Sequence, residues 1–435
     1  MDGLIFIILI ISCLFVFLKS FFRYQDILQY PFLITCDLLF FIGPQIFYLL
    51  HHKRLYQQYA NGALFLFISI CLLFYLSALL GYYSERVTFR LPNWKFKPSV
   101  LIFGLFVLSL IALYGRIMLA SLPVEMMNAT QWSGLPVRYL FFASVGQLCL
   151  PVGIILFFRY RNKLILFPLL VELSSILTSI VFAGRRSPAA FVGLMGLTGL
   201  WFAKRFKIPM WGIISMGVVF FMFVTNVGIY RSLVQQDKEI NWNKIVSEVF
   251  DFGKTVEQFT SQREGEKGLY IDIQNGVVCA QAVSESFSYN YGTIFWNSLV
   301  FAWVPGQIVG RDVKEALMLD LPKPEDVAKK IYGYSLDTGT CIPGYTDIFA
   351  SFGILGVFFM FFMGKTARMI WEQASCGNLM AQLCHFALAP LYLRFGGGGF
   401  WYLLSTLFFW VVFLYPILLL GRRRETMNEI SEVEV

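Results

Sequence analysis

The sequence predicts an all-α polytopic membrane protein, with about 11–12 transmembrane helices and one large extramembrane loop late in the chain. Three observations predict it. Of 435 residues, 57% are hydrophobic and only 14% charged, where a soluble domain carries roughly 25% charged residues. Apolar windows close to the ~20 residues needed to cross a ~30 Å hydrocarbon core recur along the chain. Lys and Arg gather at the ends of those windows, as they do where they orient a membrane protein. For that reason the net charge of +8 does not point to nucleic acid.

The first window, 3–19, is followed rather than preceded by Lys19 and Arg23, and no small-residue cleavage site comes after it. It therefore reads as a first transmembrane helix and not as a signal peptide. Windows at 31–50, 62–81, 99–120, 139–158, 164–183, 188–203 and 209–230 complete an N-terminal bundle over 1–230. Residues 231–345 form one long, mostly polar loop. Within it TIFWNSLVFAWV (293–304) is apolar but too short to span, which suits a re-entrant or interfacial piece. Three C-terminal helices at 346–364, 378–394 and 399–420 precede a short tail, 421–435.

The short loops fall into two sets, with 17 Lys/Arg in one and 6 in the other. The richer set is assigned to the cytoplasm. The 231–345 loop, with 11 Lys/Arg against 15 Asp/Glu, then lies outside. So do Arg116, Arg138, Arg185, Arg186, Arg231 and Arg394. A single helix-end arginine can simply snorkel to the interface. Six on one face, beside the one large loop, favour an anion-binding site. The eight cysteines show no CxxC or Cys/His spacing, which speaks against zinc. Cys279 and Cys341 alone fall in the long loop, and they read as two free thiols.

Three motifs could carry chemistry. In FAGRRSP (182–188), Gly184 permits a tight turn, and Ser187–Pro188 reads as cap and first residue of the next helix. Arg185 and Arg186 would stand beside a helix N-terminus, with forks suited to phosphate oxygens. In GTCIPGYTDIFASFGILG (339–356), Asp347 sits at the mouth of a helix. It either stabilises the helix dipole or serves a substrate cleft. In LYLRFGGGGF (391–400), no strand and no GxxxxGK[ST] accompanies the glycines, so a hinge or a close backbone approach is expected. Inside the membrane, Asp37, Glu172 and His385 read as structural, with Glu172 and His385 able to satisfy one another, or Ser174, Ser175 and Thr178.

With its outer arginines and late loop, the chain resembles the Wzy-type polymerases of O-antigen and related bacterial polysaccharides, a group related to O-antigen ligases. The matching pieces are the GRRSP turn, VFAWVPGQIVGRD (300–312) and PGYTD…FGILG. The resemblance implies a GT-C-like fold in the bacterial inner membrane, with the long loop and the active site facing the periplasm. It implies a metal-independent glycosyltransferase without cofactor. Such an enzyme moves a glycan from undecaprenyl pyrophosphate onto a new lipid-linked repeat, in lipopolysaccharide or similar polysaccharide biosynthesis. Its partners would be undecaprenyl-pyrophosphate-linked oligosaccharides, the bilayer and a chain-length regulator.

On this reading Arg185 and Arg186 stabilise charge developing on the pyrophosphate, assisted by Arg394 or Arg311, with Arg116, Arg138 and Arg231 as further substrate contacts. Asp347 takes the acceptor proton, with Asp337 and Glu285 behind it. No outer-face histidine is expected, which counts against a ligase-like histidine base. Two alternatives stay open. One is an O-antigen ligase. The other is a transporter or flippase of lipid-linked glycans, although the two similar halves of a carrier are not visible.

Overall fold

The computed structural model describes residues 1–23, 26–57, 59–84, 89–123, 134–181, 186–204, 271–304, 306–337, 340–397 and 401–423, with single positions between 126 and 253. All regular elements among them are helices, joined by one isolated bridge between Phe96 and Arg422. Seven of the described helices are long and apolar enough to cross a membrane: Asp2–Phe22, Tyr30–His51, Ala63–Tyr83, Pro98–Ala120, Leu135–Tyr160, Lys163–Ile180 and Gly344–Ser375. Phe191–Ala203, Leu379–Leu393 and Thr406–Gly421 are shorter apolar helices. Their length and composition mark a membrane-embedded protein. The predicted window 209–230 lies outside the described residues.

Packing divides the chain into two compact units, Met1–Pro92 with Lys267–Phe408, and Asn93–Glu266 with Phe409–Val435. Sequence order alone suggests breaks at 230 and 345. Packing instead joins the first helices to the later ones. In chain order the first unit contributes α1 (Asp2–Phe22), α2 (Tyr30–Asp37), α3 (Gly43–His51) and α4 (Ala63–Tyr83). The second holds α5 (Pro98–Ala120), α6 (Leu135–Ser144), α7 (Cys149–Tyr160), α8 (Leu166–Val181) and α9 (Arg186–Lys204). The first resumes with α10 (Ile271–Ser286), α11 (Thr293–Trp303), α12 (Arg311–Ala316), α13 (Pro324–Tyr332), α14 (Gly344–Phe352), α15 (Gly356–Ser375), α16 (Leu379–Leu393) and α17 (Trp401–Phe409), and α18 (Tyr415–Gly421) closes the second.

Local chemistry explains the irregular points. In lipid every backbone polar group must be satisfied within the segment, so the apolar windows become helices. On α1 the buried residues Leu9, Cys13, Val16 and Ser20 recur at helical spacing, and the opposite face shows Leu4, Ile8, Ile11 and Phe15. That exposed face is the lipid side. A π-turn at Leu38–Ile42 precedes Pro44, and another at Trp410–Leu414 precedes Pro416. Proline removes a donor and crowds the carbonyl four residues back, and the widened turn accommodates both.

The closest helix crossing in the first unit joins α4 to α15. A Cβ on Gly81 would strike the carbonyl of Phe361, and one on Gly364 the carbonyl of Ala78. Backbone meets backbone there, in the manner of small-residue packing between membrane helices. Ser77 Oγ donates to Val357 O at 2.5 Å, and Arg368 Nη1 to Tyr82 O at 3.2 Å.

The window 346–364 falls within one candidate span, Gly344–Ser375, which is interrupted near its start. Gly353 adopts φ +56°, ψ −138°, a region few side chains tolerate, and the helix restarts at Gly356, packed against Ile348 and Phe74. It then continues to Ser375, and Arg368 Nε is held by Glu372 at 2.8 Å one turn on. The long segment is not simply a polar loop. Its α10 packs against α4, α13 and α14, and Val277, Val278, Cys279, Ala280, Ala282 and Val283 are buried. Small side chains allow this: a Cβ on Gly276 would meet Pro343 and Phe67.

Contacts sort the first unit's connections into two ends. At one, Tyr82 bonds Gln29, Lys19 lies over the Tyr83 ring, and Gln373 and Asn378 bond the backbone of Leu91. At the other, Gln274 bonds Leu55 O, Tyr59 packs on Tyr334, and Gly344 N–H bonds Phe395 O at 2.8 Å. In the second unit, Lys97 N–H bonds Gly421 O, Arg423 N–H bonds Lys95 O, and Arg422 lies 4.9 Å over Trp94.

The α4–α15 crossing makes a direct prediction. Gly364→Leu should lower stability in detergent by about 1–3 kcal/mol, the usual range for overpacking. Gly193→Ala, with nothing within 4 Å of its added Cβ, should change little. Thermal unfolding of both variants checks this.

Candidate functional site

The site region is built on α10, whose first turns carry polar side chains into an otherwise apolar helix. Asp272 Oδ1 accepts the Cys341 N–H at 2.8 Å. Asn275, fully buried, donates to Thr340 Oγ1 at 3.0 Å and to Cys341 O at 3.3 Å, and accepts from Tyr334 OH at 2.6 Å. Thr346 Oγ1 donates to Gly276 O at 3.2 Å. The stretch 333–346 is thus laced along one helix by side-chain bonds. Burial, with the neighbouring Asp272 carboxylate, pushes the Cys341 thiol up to about 12, so it stays protonated at neutral pH. All eight cysteines are free.

On this scaffold stands Asp347, in the first turn of α14 and half-buried. Its N–H bonds Pro343 O at 3.1 Å, and its carbonyl accepts from Ser351 Oγ at 2.8 Å. Among the described residues its carboxylate has no hydrogen bond or ion pair. Glu325, at the start of α13, lies within electrostatic reach of it. Cys341 is within reach of both Asp347 and Arg394.

Arg394 is exposed at the end of α16, before the glycine run. The run's first two residues, Gly396 and Gly397, make a close backbone approach, one of the two alternatives the sequence leaves open. Gly396 N–H donates to Asp37 Oδ2 at 2.7 Å, a buried bond between residues 359 apart. A Cβ on Gly396 would meet Ile42, and one on Gly397 would meet Phe41. Asp37 therefore has a structural partner, and Arg394 acts on it electrostatically.

The other candidates in this unit are scattered. Glu285 is exposed and accepts from Tyr332 OH at 2.5 Å and Gln281 Nε2 at 2.8 Å. Burial, and then that carboxylate, raise the Tyr332 hydroxyl above its ordinary range. Asp337 is exposed, and its carbonyl accepts from Thr340. Arg311 opens the short, exposed α12.

The second unit holds the remaining arginines. Arg116 Nη2 pairs with Glu172 Oε2, and Nη1 reaches Val171 O at 3.4 Å. Gly146 makes room for the pair, because a Cβ there would touch both side chains. One expectation falls. Arg116, expected as a substrate contact, has its charge facing a buried carboxylate. Glu172 finds its partner in Arg116 rather than in His385, whose ring packs edge-on to Trp371 at 5.0 Å. Arg138 is exposed on α6. The described part of α9 is Arg186–Lys204, which includes the predicted cap Ser187. Arg185, Arg231 and the side chain of Arg186 lie outside the described residues.

The sequence reading also misses four residues. Asn275 and Asp272 could have been found as polar residues at helical spacing within an apolar run. His51 and His52 stand at the same end as Asp347, because the chain beyond them bonds α10 through Leu55. Each sets Nδ1 on the carbonyl four residues back, at 2.8 and 3.0 Å. The expected lack of a histidine on that face does not hold. Among the described residues, no group of three or more His, Cys, Asp or Glu is placed to hold a metal ion. No family model, curated protein or solved structure matches the chain.

If the Arg116–Glu172 pair is structural, removing one charge strands the other. Glu172→Leu should then cost up to about 3 kcal/mol, whereas Glu172→Leu with Arg116→Met should recover most of that loss. A double-mutant cycle on thermal stability measures the coupling. Additive losses would leave Arg116 available for an anion.

Proposed function

We propose that this chain is a polysaccharide polymerase of the bacterial inner membrane. It would transfer a glycan from undecaprenyl pyrophosphate onto a new lipid-linked repeat at the periplasmic face. The observation that carries the reading is Asp347. It is a half-buried carboxylate without a partner among the described residues, on a buried polar scaffold, with Arg394 at the same end of the unit. Glu172 and Glu372 are ion-paired and Asp37 accepts a backbone N–H, whereas a carboxylate at a helix mouth without a described partner suits a proton acceptor.

In the reaction, Asp347 takes the proton of the acceptor hydroxyl as that oxygen bonds the anomeric carbon. The bond from this carbon to the pyrophosphate oxygen breaks, and its electron pair leaves with the pyrophosphate. A guanidinium placed beforehand lowers the cost of that charge. Arg394 is the described candidate, and Arg185 and Arg186 remain candidates on the sequence argument. Asp337 and Glu285 rank lower because both are exposed and Glu285 already holds Tyr332. A chain-length regulator would be a protein partner under this reading.

Reconstitution in vesicles with an undecaprenyl-pyrophosphate-linked repeat tests the proposal. Longer lipid-linked glycans should appear without nucleotide sugar. Asp347→Asn should insert normally, still bind the lipid-linked repeat and slow transfer by roughly 10²–10⁴-fold. Polymer made at the normal rate by that variant removes Asp347 from the chemistry. Transfer to a lipid A core acceptor alone makes the chain a ligase, and movement of the lipid without transfer makes it a flippase.

A further inference from the structure

The segment 287–321 carries large apolar side chains outward although it has no run long enough to cross a bilayer. Phe287, Tyr291, Trp296 and Phe301 are 76, 75, 45 and 57% exposed, and Val313 and Leu319 follow at 51% each. Phe287 and Tyr291 do so in the left-handed region, at φ 52° and 49°. An aromatic side chain there is strained, where glycine would not be.

Two anchors fix where the segment lies. At one end of α11, Phe295 stacks on Phe352 and on Phe359, with ring centroids 6.0 and 5.8 Å apart. At the other end, Trp303 Nε1 donates to Leu404 O at 3.2 Å, and its ring stands edge-on to Phe408 at 5.7 Å. Phe359 lies within the apolar span Gly344–Ser375, and Leu404 on the apolar α17. An 11-residue helix is about 16 Å long. Held at both ends against apolar helices and too short to cross a bilayer, it suits the boundary between headgroups and acyl chains. Its exposed aromatics continue the lipid-facing side of α15, where Phe358 and Phe362 are 60 and 61% exposed.

The returning chain is prepared for the same depth. Asn297 bonds both the N–H and the carbonyl of Leu319 at 2.9 Å, and Trp296 Nε1 donates to Leu317 O at 2.8 Å. Lys314 caps Phe301 O at 2.9 Å, with its ammonium 4.3 Å over the Phe301 ring. Backbone groups that water would serve are thus met by side chains, as contact with lipid demands. Charge is balanced: residues 311–323 hold three Lys/Arg and three Asp/Glu.

We propose that α11 and the chain returning through 309–321 form an in-plane membrane anchor, whose partner is phospholipid at the headgroup–acyl boundary, held by apolar insertion and not by charge. The anchor does not depend on the glycan-transfer reading, and either can fail without the other.

The whole chain, reconstituted in phosphatidylcholine vesicles containing a phospholipid with an acyl-chain diazirine near the glycerol, supplies the test. After irradiation, peptide mapping should find lipid adducts within 291–303 and 309–321, as within α1, and none within α13. The pattern should survive high salt and should not need anionic lipid. Phe301→Glu should lose the 291–303 adducts while those on α1 persist. Adducts on α1 without any on 291–321 would overturn the proposal. So would labelling that vanishes in high salt or requires anionic lipid.

Discussion

The contact of α4 with α15 at Gly81 and Gly364 is the constraint on which the first unit depends. Lipid is as apolar as leucine, so no hydrophobic gain draws two membrane helices together, and close packing has to do it. Two missing side chains let the backbones touch, and Ser77 and Arg368 then bond across the gap. The break at Gly353 separates α14 from α15, and α14, which carries Asp347, packs against both α10 and α4.

A second theme is how the fold disposes of charge in an apolar setting, where an unpaired ionisable group is costly. Asp37 accepts from the backbone of the glycine turn, Glu172 holds Arg116, and Glu372 holds Arg368. Each arrangement ties together pieces far apart in sequence or adjacent on one helix. Asp347 is placed differently, near a like charge and without a described partner. The polar bonds around it belong to Asp272, Asn275 and Thr346, which position the helix start and leave the carboxylate itself uncommitted. Such an arrangement is stable only where water or substrate reaches the group, and Asp347 is half-buried rather than sealed.

Much of this was legible in the sequence because it rests on local composition. The spanning windows, the short apolar piece at 293–304 and the tight glycine run follow from hydropathy and residue size. What was not legible depends on distant partners. The helix α10 hides in a polar average, since its Asp272, Gln274 and Asn275 look like loop residues until Thr340, Cys341 and Leu55 are seen to meet them. Nothing within residues 164–183 announces that Glu172 faces Arg116, or that Gly146 makes the space. The break at Gly353 was masked because glycine is common in membrane helices, and only its positive φ separates a turn from a packing notch. The division into two units follows from the same long-range contacts.

The central claim is that α10 is a buried structural helix of the first unit and the scaffold for Asp347, not part of a free outer loop. Hydrogen–deuterium exchange on the reconstituted chain tests this most directly, because amide protection tracks local opening. Amides from Ile273 to Val283 should exchange as slowly as those in the centre of α4. Exchange of this stretch at the rate of an unstructured loop, with α4 protected, would contradict the account.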